Sequence, residues 1–171
     1  MKIVKSQLKT LKLQAKRKSK QMENKYFDLN EILKKAGWDE NRKIERLNIV
    51  NMIEDEGYPV LPNVIDFLSM FLDVKILFEN KRNGLRNDDI DFSFEKATHI
   101  EVPERINGEY SKRIGKEICL IGSAYRGHMV LLMAADSNVY GGYDDFLCKI
   151  ANSGFEAIEA IVNDYDFVTL P

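Results

Sequence analysis

The stretch Ile118–Tyr143, ICLIGSAYRGHMVLLMAADSNVYGGY, decides the fold. Its apolar residues fall into three short runs: Ile118 to Tyr125, His128 to Ala135 after a tight turn at Arg126-Gly127, and Val139 to Tyr143 after a turn at Asp136-Ser137-Asn138. Short β-rich runs broken by such turn residues predict a small antiparallel meander. Met129, Val130, Leu131, Leu132 and Met133 are apolar at every position rather than at alternate ones. That pattern predicts a central strand covered on both faces, and so requires helices against at least one face. Ser153-Gly154-Phe155-Glu156 is a capping box opening a last helix through Ala157, Ile158, Ala160, Ile161 and Val162, the expected cover.

Working back toward the N-terminus, the period changes from two to that of a helix. Leu29, Ile32, Leu33 and Ala36 recur at helical spacing and stop at Gly37, which can close a helix in the left-handed conformation. Ile44, Leu47, Val50 and Ile53 repeat up to Gly57, with Asp39 or Asn41 available as N-cap. Trp38, the only tryptophan, lies at the corner between these patterns and is expected to fill a wedge between helices. Pro62 suits the first position of a third helix, with Val64, Phe67, Leu68, Phe71 and Leu72 as its stripe, and Val74 to Phe78 then alternates as a strand. Lys81 to Asp91 reads as a polar loop between two strands, with Asn83-Gly84 as a turn and Asp88, Asp89 and Asp91 clustered before Phe92. The predicted architecture is α+β: N-terminal helices, a mostly antiparallel β-sheet, and a C-terminal helix packed on the sheet. One domain is expected over residues 21–171, behind a basic extension at residues 1–20.

Charge is distributed unevenly along the chain. Residues 1–20 carry eight Lys/Arg and no acid, which leaves 17 basic against 27 acidic residues, a balance of −10, for residues 21–171. An acidic body is repelled by nucleic-acid phosphates and attracted to basic proteins. Val4, Leu8, Leu11 and Ala15 recur at helical spacing among the lysines, so the extension reads as a basic amphipathic segment: solvated, touching anionic membrane or RNA, or part of a partner interface. The longest apolar run, Met129 to Ala135, is far shorter than the ~20 residues of a membrane-spanning helix, and no signal-peptide core is present. Cys119 and Cys148 sit among apolar or small residues, as reduced core thiols do, although a disulfide between them remains open. A cytoplasmic location is expected.

The catalytic inventory is thin. His99 and His128 are the only histidines and read as surface residues; a hydrolase using His128 and Asp144 is the minor enzymatic reading. There is no nucleophile elbow, phosphate loop, dinucleotide fingerprint or metal-spaced His/Cys cluster. Glu54-Asp55-Glu56, Asp88-Asp89-Asp91 and Asp144-Asp145 match no calcium loop and read as solvated surface or a protein-binding rim. No enzyme activity, cofactor or metal is expected.

Four blocks of residues resemble the SUKH superfamily of bacterial immunity proteins, and within it the third subfamily. Ala36-Gly37-Trp38 with Arg42 is similar to that subfamily's opening, and Gly57 with Pro62 to Phe71 is similar to its following turn and Phe-Leu-x-x-Phe helix, here with Phe67 and Phe71. Arg113-Ile114-Gly115 with Cys119-Leu120-Ile121-Gly122 resembles the later strand entry, and Val139-Tyr140 with Ala157-Ile158-Glu159 the closing hairpin and helix. The likeness covers residues 28 to 165, with one departure: Leu72-Asp73-Val74 stands where the subfamily has a Gly-Gly-like turn. The resemblance implies a non-enzymatic cytoplasmic antitoxin that binds and neutralises a cognate toxin domain, a nuclease or deaminase of a polymorphic toxin system. An acidic inhibitor can occupy the phosphate-binding face of such a toxin as a mimic. The expected contact residues are Asp88, Asp89, Asp91, Asp144 and Asp145, with Tyr140 or Tyr143 as apolar anchor. The alternative is an interaction adaptor or regulator whose basic arm touches membrane or RNA.

Overall fold

The computed structural model describes residues 28–80 and 87–171. The basic extension and the Asn83-Gly84 turn lie outside the described residues. Seven strands form one antiparallel sheet whose order is that of the chain: β1 (Lys75–Glu79), β2 (Asn87–Asp91), β3 (Ile118–Ala124), β4 (Met129–Ala134), β5 (Val139–Tyr143), β6 (Phe146–Ala151) and β7 (Val168–Thr169). The helices α1 (Leu29–Lys35), α2 (Arg46–Asp55) and α3 (Pro62–Phe71) precede the sheet. Between β2 and β3 come α4 (Phe94–Thr98), a π-helix (Arg105–Tyr110) and α5 (Ser111–Ile114); α6 (Gly154–Val162) joins β6 to β7. The α+β architecture and the central meander stand as the sequence predicts. Every residue of β3 and β4 is buried.

Three expectations are corrected. Asp88, Asp89 and Asp91 belong to strand β2 rather than to a loop, because β2 pairs with β1 on one side and β3 on the other. Helix α2 begins at Arg46 with Glu45 in the cap position, so neither Asp39 nor Asn41 caps it. Asp39 instead builds a local turn: its carboxylate accepts the Asn41 N–H at 2.8 Å, and its carbonyl accepts the Arg42 N–H at 3.1 Å. With the helix starting later, Ile49 and Ile53 form the buried stripe, while Leu47 is 62% exposed. The meander also continues past Tyr143 into β6 and β7, which the sequence reading did not include.

Register sorts the sheet residues by face, since cross-strand partners share a side. One face carries Ile76, Ile90, Cys119, Gly122, Leu131, Gly141 and Cys148. Phe92, one step beyond Ile90 on that side, meets Phe67 edge-on at 5.2 Å, and Phe67 stacks on Phe71 at 4.7 Å, which places α3 here. Phe155 of α6 joins the same cluster, 5.2 Å from Phe71. Gly122, at the β3 bulge, is needed because a Cβ there would fall 2.6 Å from the Asp91 carbonyl oxygen. The opposite face carries Leu120, Val130, Leu132, Tyr140 and Gly142 and packs against the π-helix through Tyr110. The predicted final helix therefore packs on one side of the sheet, against β6, and the other side is covered by elements the sequence reading did not identify.

The remaining local signals behave as read. Gly37 has φ +76° and ends α1, with the Trp38 N–H returning to the Leu33 carbonyl at 3.0 Å. Trp38 stacks on Phe71 at 5.3 Å and meets Phe155 edge-on at 6.0 Å, so the wedge it fills lies between α3 and α6. Arg42 donates to the Leu72 carbonyl at 2.5 Å, and Asp73 takes the left-handed conformation with φ +62°. At α6 the Ser153 hydroxyl accepts the Glu156 N–H at 3.3 Å, while the Glu156 carboxylate accepts the N–H of Asn152 at 3.2 Å.

Candidate functional site

The residues expected to contact a partner occupy two settings. Asp89 and Asp91 lie on β2 facing Lys75 of β1, and each is only 7% exposed. Lys75 Nζ is 2.8 Å from Asp89 and 3.6 Å from Asp91, and Lys96 Nζ from α4 is 3.1 Å from Asp91. The hydrogen bond to Asp89 is the main cause that raises the Lys75 pKa. Asp91 also accepts the Ser93 N–H at 3.0 Å. Asp88 points to the other face, where Asn80 donates to its carboxylate. Buried carboxylates of this kind are held by their partners rather than presented to solvent.

Asp89 has a further task. Its carboxylate accepts the Arg126 N–H at 2.7 Å and its carbonyl accepts the Tyr125 N–H at 2.9 Å. These bonds clamp the β3–β4 turn, in which Tyr125, Arg126 and Gly127 have φ of +55°, +60° and +78°. A left-handed non-glycine residue costs roughly 1–2 kcal/mol, so two in succession require such support. The clamp fixes Tyr125 and His128 beside the β5–β6 hairpin.

That hairpin is the second setting. Asp144 and Asp145 form its two-residue turn, both exposed, between Tyr143 and Phe146, whose rings stack at 4.9 Å. The turn is tied from below: the Tyr110 hydroxyl donates to the Asp144 carbonyl at 2.7 Å and Arg113 donates to the Asp145 carbonyl at 3.0 Å. Arg113 also donates to the carbonyls of Leu170 and Pro171, so one guanidinium binds the hairpin to the chain after β7. Tyr110 reaches the turn because Gly142 lacks a side chain; a Cβ there would fall 2.7 Å from its ring. Burial, then the nearby Glu101 carboxylate, pushes the Tyr110 hydroxyl up to about 12, which keeps it a proton donor. Tyr143 is 48% exposed, whereas Tyr140 is 4% exposed and belongs to the core.

Beside the hairpin lies a groove of about 580 Å³. Six of the ten residues lining it carry rings: Tyr125, His128, Tyr143, Phe146, Tyr165 and Phe167. Asn80, Met129, Asp164 and Asp166 complete it, so no Lys or Arg is among the described lining residues. The fold thus brings Tyr143 together with Asp144 and Asp145 and sets the Asp88 partner Asn80 beside them in the groove, while Asp89, Asp91 and Tyr140 are buried. The other five rings were not read as a binding surface, because they come from three separate turns, and His128 among them was weighed only as a surface residue or a hydrolase group with Asp144. The one local signal was the alternation Asp164-Tyr165-Asp166-Phe167.

The Cys119 thiol is raised well above its ordinary range by burial and Cys148 is pushed up to about 11, also by burial, so neither is a ready nucleophile. They are free thiols, and the two strands between β3 and β6 set them roughly 14 Å apart at ordinary strand spacing, beyond disulfide reach. Among the described residues no group of three or more His, Cys, Asp or Glu is placed to hold a metal ion, and no helix is long and apolar enough to cross a membrane.

No curated protein and no solved structure matches the chain. A family model described as SUKH-3 immunity protein matches residues 26–164, a span that includes the Trp38 corner, the sheet through β6 and the pinned hairpin. The chain therefore belongs to the SUKH-3 family of immunity proteins.

Proposed function

We propose that this protein neutralises a cognate toxin domain by presenting the β5–β6 hairpin and the adjoining groove to a basic face of the toxin. The toxin is a nuclease or deaminase acting on nucleic acid, and the complex forms in the cytoplasm, where such substrates are. Family membership supports the immunity role, and the observation that carries the surface is the hairpin tip: two exposed carboxylates and a half-exposed tyrosine held rigidly by Tyr110 and Arg113. Contact falls to Tyr143, Asp144 and Asp145. Asp89 acts from beneath by fixing the β3–β4 turn, while Asp91 and Tyr140 are buried and Asp88 is paired with Asn80. A rigid acidic tip loses little conformational entropy on binding, and long-range attraction can raise encounter rates 10- to 10³-fold. The protein needs no catalytic group for this, since covering the phosphate-binding face of the toxin blocks its substrate.

Co-expression with a toxin, taken from the genes neighbouring the one for this chain, tests the role. Growth should be restored by the protein and lost again when it is omitted; a toxin equally lethal with and without it would end the proposal.

A further inference from the structure

Strand β1 ends the sheet, and its outer edge is complementary to itself. We propose that two copies of this chain join β1 to β1 antiparallel about a two-fold axis at Leu77, so that the sheet of one copy continues into the other. The inference goes beyond toxin binding and does not depend on it.

The direction of the backbone groups follows from the register. Among the described strands β1 pairs with β2 alone, with Ile76 opposite Ile90 and Phe78 opposite Asp88. The same register puts Val74 opposite Phe92, and the Val74 carbonyl accepts the Phe92 N–H at 3.0 Å. Antiparallel ladders bond alternate pairs, so Val74, Ile76 and Phe78 turn their backbone groups toward β2, while Lys75, Leu77 and Glu79 turn theirs to the outer edge. Such a row of N–H and C=O groups is a template for another strand. Helix α1 also contacts β1, but its Ile32 and Leu33 share the core with Ile76 and Phe78, so its packing goes to the buried side of the strand. Leu77 lies on the opposite side and is 63% exposed.

The side chains select both the occupant and the register. On the exposed side the edge reads Lys75, Leu77, Glu79, which is its own antiparallel complement. A two-fold axis at Leu77 sets each Lys75 opposite Glu79 of the other copy and brings the two leucines together. An axis at Lys75 or Glu79 would oppose like charges, and one at Ile76 or Phe78 would set Leu77 against a charge. Unlike charges and apolar pairs stabilise cross-strand neighbours, and like charges do the reverse. Residues 75, 77 and 79 are also those whose backbone groups face the edge, so the pairs matched by side chain are the pairs that exchange N–H···O=C bonds. Asp89, 2.8 Å from Lys75 Nζ, holds that lysine on this side of the sheet. The far edge offers less to a second copy, since β7 has only two residues.

Cysteine cross-linking of the full chain reads the register directly. Leu77→Cys places two thiols across the axis as a directly opposed pair, within disulfide reach, whereas Glu79→Cys places them roughly 14 Å apart. Cys119 and Cys148 are buried and leave the background low. Under mild oxidation Leu77→Cys should form a covalent dimer at least about 10-fold faster than Glu79→Cys or Lys75→Cys alone, while a mixture of Lys75→Cys and Glu79→Cys should cross-link to each other. The unsubstituted chain is followed by sedimentation from roughly 1 µM to 1 mM, the range a small interface requires, and should pass from monomer to dimer. Glu79→Lys, which opposes lysine to lysine, should weaken that dimer at least about 10-fold with an unchanged backbone spectrum of the monomer. A chain that stays monomeric throughout, equal cross-linking of Leu77→Cys and Glu79→Cys, or a dimer indifferent to Glu79→Lys overturns the inference.

Discussion

Trp38 illustrates how a residue can mark a family without being its binding site. Its ring is pressed between Phe71 and Phe155, and its indole N–H is buried with no hydrogen-bond partner among the described residues. The residue therefore contributes through area and ring contact rather than through its polar handle. Trp38→Ala should destabilise the protein by about 3 kcal/mol, the low end for large aromatics because the side chain is half-buried. Trp38→Phe should cost less than about 1.5 kcal/mol, since no hydrogen bond is lost. Denaturant midpoints check both, and a Trp38→Ala protein of unchanged stability that no longer binds its toxin would make this corner the anchor instead. Gly37, Trp38, Phe67 and Phe71 were legible because each obeys a local rule of turns or helical stripes. Asp89 was legible only as an acid: its clamp on the β3–β4 turn joins residues 37 positions apart, which no local pattern encodes.

At the scale of elements, the meander and the last helix could be read because their apolar spacing and turn residues agree. Strand β2 could not, since Asn-Asp-Asp-Ile-Asp has among the poorest β-formers and becomes a strand only through its neighbours and the lysines that neutralise it. The π-helix hid behind Asn107-Gly108, which resemble a turn, yet it carries the Tyr110 that pins the hairpin. Wide helical turns of this kind recur at functional sites. Tyr110 also sets an alkaline limit. Its hydroxyl ionises near 10.0 in an unfolded chain and at about 12 in the folded one, so its contribution to stability is complete below pH 10 and declines as pH rises from 10 toward 12. Burial raises Tyr58 as well, which adds to the same decline. Tyr110→Phe should lower stability by about 1 kcal/mol and flatten the loss above pH 10, as followed by denaturation at a series of pH values. An unchanged alkaline slope would mean that Tyr110 ionises as readily in the folded chain as in the unfolded one or that Tyr58 alone governs it.

Across the whole molecule, the acidic balance of residues 21–171 and the pinned hairpin fit the proposed mode of action, attraction at a distance followed by a small, preorganised contact. The α+β class and the acidic body could be read from the sequence, whereas the division of labour among the aspartates required the fold, because burial separates Asp89 and Asp91 from Asp144 and Asp145. Salt should weaken the attraction, as exposed charges are screened beyond about 10 Å at 0.1 M ionic strength. The most direct test of the account is the association rate of the purified protein with its toxin at low salt, compared between the natural sequence and Asp144→Lys/Asp145→Lys. The account predicts at least a 10-fold slower association for the folded double variant, with the difference shrinking as salt is added; equal rates at every salt concentration would contradict it.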